Sequence, residues 1–159
     1  MRRRHLLLLL AALPALAHAQ DSEPTAAQPK LPKEKLVIVT RDGVRHDFTV
    51  EMAMTPRQQQ VGEMFRASVP PDGGMLFDWG TPHPSPMWME NTLVPLDMVF
   101  INPDGTIRAI AEDTVPQSLA IISSHGPVLA ALELAGGTTA RLNIRVGDKV
   151  LQRIFGNAG

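Results

Sequence analysis

The chain contains no cysteine. No disulfide can form, whatever the compartment, and cysteine nucleophiles, iron–sulfur clusters and thiolate zinc sites are excluded. Clustered positive charge is also missing. Beyond Arg2-Arg3-Arg4 at the start, the other 12 basic residues are scattered and are outnumbered by 16 acidic ones, which disfavours nucleic acid and anionic lipid surfaces, since both need a basic patch. Long apolar runs are absent too. The stretch Leu6 to Leu13 falls well short of the roughly 20 residues of a membrane span, and Pro14 interrupts it. No internal repeat and no recognisable nucleophile–base signature is visible.

What stands at the start fits an address. Arg2, Arg3 and Arg4 precede the apolar run, and Ala17-His18-Ala19 matches a small-x-small cleavage site. Residues 1–19 therefore read as a secretory signal peptide, cut after Ala19, and the protein as exported to the periplasm with no membrane span left. Losing three arginines leaves 12 basic against 16 acidic residues, a net charge of −4. Residues 20–35, rich in Pro, Ala and charge, read as a disordered linker. One domain, residues 36–159, remains, long enough to bury a core.

Within it, Leu36 to Thr40 and His46 to Met52 flank Arg41-Asp42-Gly43 and predict a hairpin. Phe48, Val50 and Met52 fall on one face and Asp47, Thr49 and Glu51 on the other, and His46 reads as a solvated residue beside the turn. Thr55-Pro56 is an N-cap followed by a first-turn proline, predicting a helix from Pro56 to about Met64, weakened by Gly62. Met75 to Phe77, Met87 to Met89, Leu96 to Ile101, Thr106 to Ala111, Val128 to Leu134 and Val150 to Ile154 read as strands, and Thr138 to Leu142 as a helical turn. Gly80 to Pro86, with three prolines in seven residues, predicts an irregular surface loop. The expected fold is mainly β: a β-sandwich or flattened barrel of seven to eight short strands with one short helix near the start.

Residues 74–101 concentrate the unusual chemistry, with both tryptophans and four of the eight methionines. Asp97 stands where a strand has little use for a carboxylate. It reads either as a fixed acceptor or general base, or as a structural carboxylate bonded to the amides of Asn91 and Thr92 or to Arg66. Asn91 and Thr92 suit a neutral polar ligand, or simply a turn. Trp79 and Trp88 offer aromatic faces to a sugar or peptide, or ordinary packing. Glu133 interrupts an apolar strand, and paired with Asp97 it would permit acid–base hydrolysis. His83, Met87 and Met89 are a soft-ligand set for Cu(I), though methionine is more often a core filler.

Five ordered motifs carry a family resemblance: Gly62-Glu63-Met64-Phe65-Arg66, Gly74-Met75-Leu76-Phe77, Trp88-Met89-Glu90-Asn91-Thr92 with Pro95-Leu96-Asp97, Leu132-Glu133-Leu134 and Gly147-Asp148. They resemble the G-L-M-F-R, G-M-L-F, W-M-K-N-T, L-E and G-D positions of the bacterial and archaeal family called domain of unknown function 192. The resemblance implies a compact, mostly β domain, often behind a signal peptide. Two departures stand out: Glu63 replaces the usual Leu, and Glu90 replaces a Lys, reversing a charge beside Asn91. Some relatives carry cysteines in the segment matching Val115 to Ser124, where this chain has none.

The reading favoured is a monomeric periplasmic binding or envelope-accessory domain. It would hold a small polar ligand or envelope component at Arg66, Trp88, Asn91, Thr92 and Asp97, with Glu133 in support and no cofactor. Hydrolysis by Asp97 and Glu133, and copper binding by His83, Met87 and Met89, are the alternatives.

Overall fold

Alternation of apolar and polar residues builds the first hairpin, β1 (Lys33–Val39) and β2 (Arg45–Ala53), which pair antiparallel around the Asp-Gly turn. His46 lies inside β2 opposite Ile38, half-buried, rather than beside the turn. The structure, a computed structural model, describes residues 22–158, so the expected signal peptide at 1–19 lies outside the described residues. Among those described, no helix is long and apolar enough to cross a membrane.

Helix α1 (Pro56–Val61) follows, with Thr55 accepting from the Gln58 amide and the Gln58 side chain accepting from the Thr55 amide. This reciprocal cap satisfies two amides that a helix start would otherwise leave unpaired. The helix stops at Gly62, three residues before the sequence suggests, in a backbone conformation (φ 48°, ψ −130°) that favours glycine. The chain then returns as β3 (Gly73–Met87), which lies parallel to β2. A parallel neighbour demands a crossover, so α1 and the turn after it must cover one face of the sheet.

β4 (Leu96–Ile101), β5 (Ile107–Ala111), β6 (Ile122–Ala135), α2 (Thr138–Leu142) and β7 (Lys149–Leu151) complete the fold. One seven-stranded sheet results, ordered β5-β4-β6-β3-β2-β1-β7. Its edges meet at one end: Thr106 bridges Lys149, the Ile107 amide bonds Asp148 O at 2.9 Å, and the Val150 amide bonds Gly105 O at 2.7 Å. The sheet is thus curled, a barrel closed at one corner, and mainly β as expected.

Several stretches differ from the sequence reading. The strand read over Met87 to Met89 is not formed, since β3 ends at Met87, and the last strand stops at Leu151, before a 3-10 turn over Arg153–Phe155. Residues 80–86 belong to β3 despite their prolines. β2 pairs only with Gly73 to Phe77, so beyond Phe77 one side of β3 is a free edge that needs no amide donors, and register shifts between Asp78 and His83 and between Pro84 and Pro86 absorb the misfit. The segment is exposed as expected except at Ser85, which is buried with its amide bonded to the Ser124 hydroxyl. Residues 20–35 were expected to be a linker without partners, yet β1 begins at Lys33, and the strap before it is held along the domain. Gln28 Nε2 donates to Gln58 O (3.1 Å) and Gly62 O (3.0 Å), and the Met52 amide bonds Pro32 O at 3.0 Å.

The curl separates two cores. The interior one draws on all seven strands, including Leu36, Phe48, Leu76, Val99, Ile107, Leu132 and Val150, and is plugged from the α2 side by Leu142 and Ile144. The other lies on the outer face, where Met75, Phe77, Met98, Phe100 and Ala131 pack with Met89 and Leu96. Strand alternation assigns each residue to one core or the other.

Candidate functional site

That alternation decides the fate of the two carboxylates singled out in the sequence. Asp97 stands opposite Leu134, and Glu133 stands opposite Met98. Leu134 belongs to the interior core and Met98 to the outer one, so the two carboxyls point to opposite faces of the sheet. They do not share a cavity, and the acid–base pair expected of them is not formed.

Asp97 is fully buried and fully bonded. It accepts from the amides of Asp113 (2.8 Å), Gly137 (2.9 Å) and Thr139 (2.7 Å) and from the Thr139 hydroxyl (2.7 Å). Gly137, at the start of α2, has no side chain with which to cap it, and the carboxylate of β4 does so instead. Neither Asn91, Thr92 nor Arg66, the partners anticipated from sequence, bonds to it. Its role is structural.

Glu133 is different. Across the outer face, Glu51, Met75, Glu133 and Met98 form one row over four adjacent strands. The turn after α1 presses onto this row because residue 62 is glycine: a Cβ there would stand 3.0 Å from Phe77 Cζ and 3.6 Å from Glu133 Oε2. The turn delivers Glu63 and Arg66, and all four of Glu51, Glu63, Arg66 and Glu133 are at most 8% exposed.

Arg66 grips Glu51 with two bonds, Nη1 to Oε1 at 2.7 Å and Nη2 to Oε2 at 2.9 Å, and the Leu31 amide adds a third at 2.8 Å. Lys30 Nζ lies 3.4 Å from the same carboxylate. Burial opposes ionisation of Glu51, but the Arg66 and Leu31 bonds and the two positive charges outweigh it and hold the carboxyl at about 2. Glu51, assigned from sequence to the polar face of the hairpin, is therefore a buried anchor.

Glu63 fares less well. Its Oε2 lies 3.1 Å from Arg66 Nε, close enough for attraction but without the angle of a hydrogen bond. Burial raises its pKa, opposed by the Arg66 and Lys30 charges and reinforced by that of Glu51. Glu133 Oε2 is buried with no partner at all. Burial and then the neighbouring Glu63 charge push its carboxyl up to about 8, against the pull of Arg66 and of the Glu63 backbone amide. Near neutrality it is a protonated acid in an apolar wall.

Both carboxyls open into a cavity of about 380 Å³ beneath α1, which Phe77, Trp79, Met87, Trp88 and Thr92 also line. Trp79 packs on Phe77 with ring centres 5.6 Å apart, and its Nε1 is buried without an acceptor. Trp88 is 44% exposed and stands at the mouth. The volume lies in the range of small-molecule sites, and a mostly apolar lining with a few convergent polar groups is their usual chemistry.

Of the residues predicted to bind, the structure gathers Trp88 and Thr92 with Glu133 in this cavity. Arg66 sits behind it, committed to Glu51. Asn91 is not in the lining: it forms a left-handed corner (φ 54°) whose carbonyl accepts from the Phe65 amide at 2.8 Å. The copper set is scattered. His83 is exposed, its ring tilted against Trp79 with Nδ1 2.7 Å from Pro84 O, whereas Met89 is fully buried with its sulfur 3.1 Å from the Thr114 hydroxyl; only Met87 faces the cavity. Among the described residues, no group of three His, Cys, Asp or Glu is placed to hold a metal ion. Glu63 was passed over as a site residue, although its charge in an otherwise apolar motif was the available signal.

Fold and site together define a curled, mainly-β domain with a carboxyl-lined cavity on its outer face. The chain belongs to the DUF192 family (Uncharacterized ACR), whose model matches residues 37–152. Among solved structures it is similar to a putative transcription regulator from Sinorhizobium meliloti, at 47% identity and a TM-score of 0.78 over 80% of this chain and 99% of that one. A protein of unknown function from Novosphingobium aromaticivorans is 37% identical, with a TM-score of 0.75 over 80% of this chain and 91% of the other. No protein of curated function matches.

Proposed function

We propose that this chain is an exported periplasmic binding domain whose cavity under α1 takes a small ligand, its body against Trp79 and Trp88 and its polar end at Glu63 and Glu133. One observation carries the reading: Glu133 keeps an unpartnered, buried carboxyl oxygen in the wall of a cavity large enough for a ligand. An unpaired buried polar group is costly, and a ligand that pairs it recovers that cost. Export rests on the signal-like residues 1–19.

Hydrolysis has no comparable support, since Asp97 is spent on α2. Regulation of transcription is a description of the S. meliloti protein. The scattered basic residues and the mild acidity of this chain argue against carrying it over.

A thermal-shift screen of small polar and amphiphilic molecules tests the reading. A ligand present at about 100 times its Kd adds about 2.7 kcal/mol to stability. That gain is expected to vanish in Trp88→Ala, whose exposed side chain contributes little to folding. A shift that survives both Trp88→Ala and Glu133→Gln would place the binding elsewhere. Fractionation of cells producing the full chain checks export, and retention in the cytoplasm would refute it.

A further inference from the structure

Resting on that binding reading, we infer that the ligand is an organic cation, an ammonium or guanidinium group on an apolar body, with its charge seated between Glu63 and Glu133. The charges on the outer face do not balance. Three buried carboxyls, Glu51, Glu63 and Glu133, are served by one buried guanidinium. Both terminal nitrogens of Arg66 are taken by Glu51, and Nε makes only the angled contact with Glu63. Lys30 touches Glu51 alone, from a side chain that is 67% exposed. Glu133 has no cationic partner.

The cavity lining sharpens this imbalance into a selection rule. Its only ionisable residues are Glu63 and Glu133, with no lysine, arginine or histidine among them. An anionic ligand would find no positive charge there, only neutral donors such as Trp79 Nε1 and Thr92, set against two carboxyl groups. A cation meets the unpartnered Glu133 Oε2 and, beside it, Glu63 Oε2, whose one contact is the angled ion pair with Arg66 Nε at 3.1 Å. Beside them are the rings of Trp79 and Trp88, and tryptophan is the best aromatic partner for a cation. The charge that the fold omits is the charge the ligand supplies.

Proton release is the signature. The groups facing Glu133 are Glu63 and Arg66 from the turn after α1, Glu51 from β2 and Lys30 from the strap behind it. The row neighbours Met75 and Met98 carry no charge, and His83 lies farther out, against Trp79. With the Glu133 carboxyl at about 8, a cation arriving at neutral pH displaces the carboxyl proton to solvent. Affinity is expected to rise about tenfold per pH unit toward that value and then level off.

Calorimetric titration of the purified protein with three probes decides the matter: 2-phenylethylammonium, its neutral counterpart 2-phenylethanol, and the anion 3-phenylpropionate. The ammonium is expected to bind at least about tenfold more tightly than the alcohol, a difference of about 1.4 kcal/mol, and the anion to give no heat. Repeating the ammonium titration in two buffers of different ionisation enthalpy should show release of close to one proton at about pH 7. Glu133→Gln, nearly the same shape, should abolish that release and remove the ammonium's advantage over the alcohol. Glu63→Leu should do so in part, and the melting temperature of each variant reports whether it has folded. Should Glu63→Leu not fold, Glu133→Gln alone decides. If alcohol and ammonium bind equally, the cation reading is overturned and the binding reading stands. If none of the three binds, and butylammonium and agmatine do not either, both are overturned.

Discussion

Asp97 and Glu133 sit on adjacent strands, one register step apart, and are both buried. The first is surrounded by four donors, and an oxygen of the second has none. Asp97 faces α2 and completes a helix that cannot cap itself. Glu133 faces α1, which already has its own cap in Thr55. Burial of a carboxyl is thus a poor guide to its purpose; the inventory of donors around it tells more. A satisfied carboxylate holds a fold together, and an unsatisfied one costs stability that only function would retain.

Replacing each residue is expected to move stability in opposite directions. Asp97→Ala strands three amides and a hydroxyl, at a cost of at least about 4 kcal/mol, read as a lowered urea midpoint with unchanged slope. Glu133→Gln removes the penalty of keeping a proton on a group whose ordinary value is 4.5 and whose folded value is about 8. It should stabilise the protein by about 3 kcal/mol at pH 7 and by little below pH 4.5. Destabilisation at neutral pH would mean that Glu133 has a partner after all.

Glu51 sharpens the contrast from within the same outer row. Its carboxyl is depressed from 4.5 to about 2, so its contribution of about 3 kcal/mol is complete above pH 4.5 and is lost as pH falls toward 2. Acid denaturation of Arg66→Met should show that dependence weakened, with only the Leu31 amide and Lys30 left to hold the carboxylate. The smallest effect concerns the caps. Thr55→Ala should cost about 1 kcal/mol, well below the loss at Asp97, because α1 loses one local bond and α2 loses its entire anchor. Equal losses would undo the distinction between a self-capped helix and one capped across the sheet.

Much of this was legible in the chain and some was not. The first hairpin, the Thr55-Pro56 helix start and the α2 helix follow from local chemistry, and the structure keeps them. Asp97 was conspicuous as a carboxylate in a strand, but its donors lie 16 to 42 residues onward, and nothing local names them. The face that Glu133 takes depends on which β6 residue stands opposite Met98, a register set by the whole sheet. Glu51 matched the polar side of an alternating strand because the sequence could not show that a crossover and the Gln28–Leu31 strap cover that side. The prolines of residues 80–86 point to an irregular loop, whereas a strand with one free side accommodates them.

The corner where Thr106 meets Lys149 sets an order of events in the making of the protein. β1 pairs with β2 early in the chain, yet its other edge waits for β7, and so does the free edge of β5. Until residues 149–151 have been synthesised, two strand edges remain open, each a template for a neighbouring chain. Ending the chain at Gly147 should therefore convert soluble protein into aggregate, measurable by sedimentation. Three residues at the far end act as the latch against self-association.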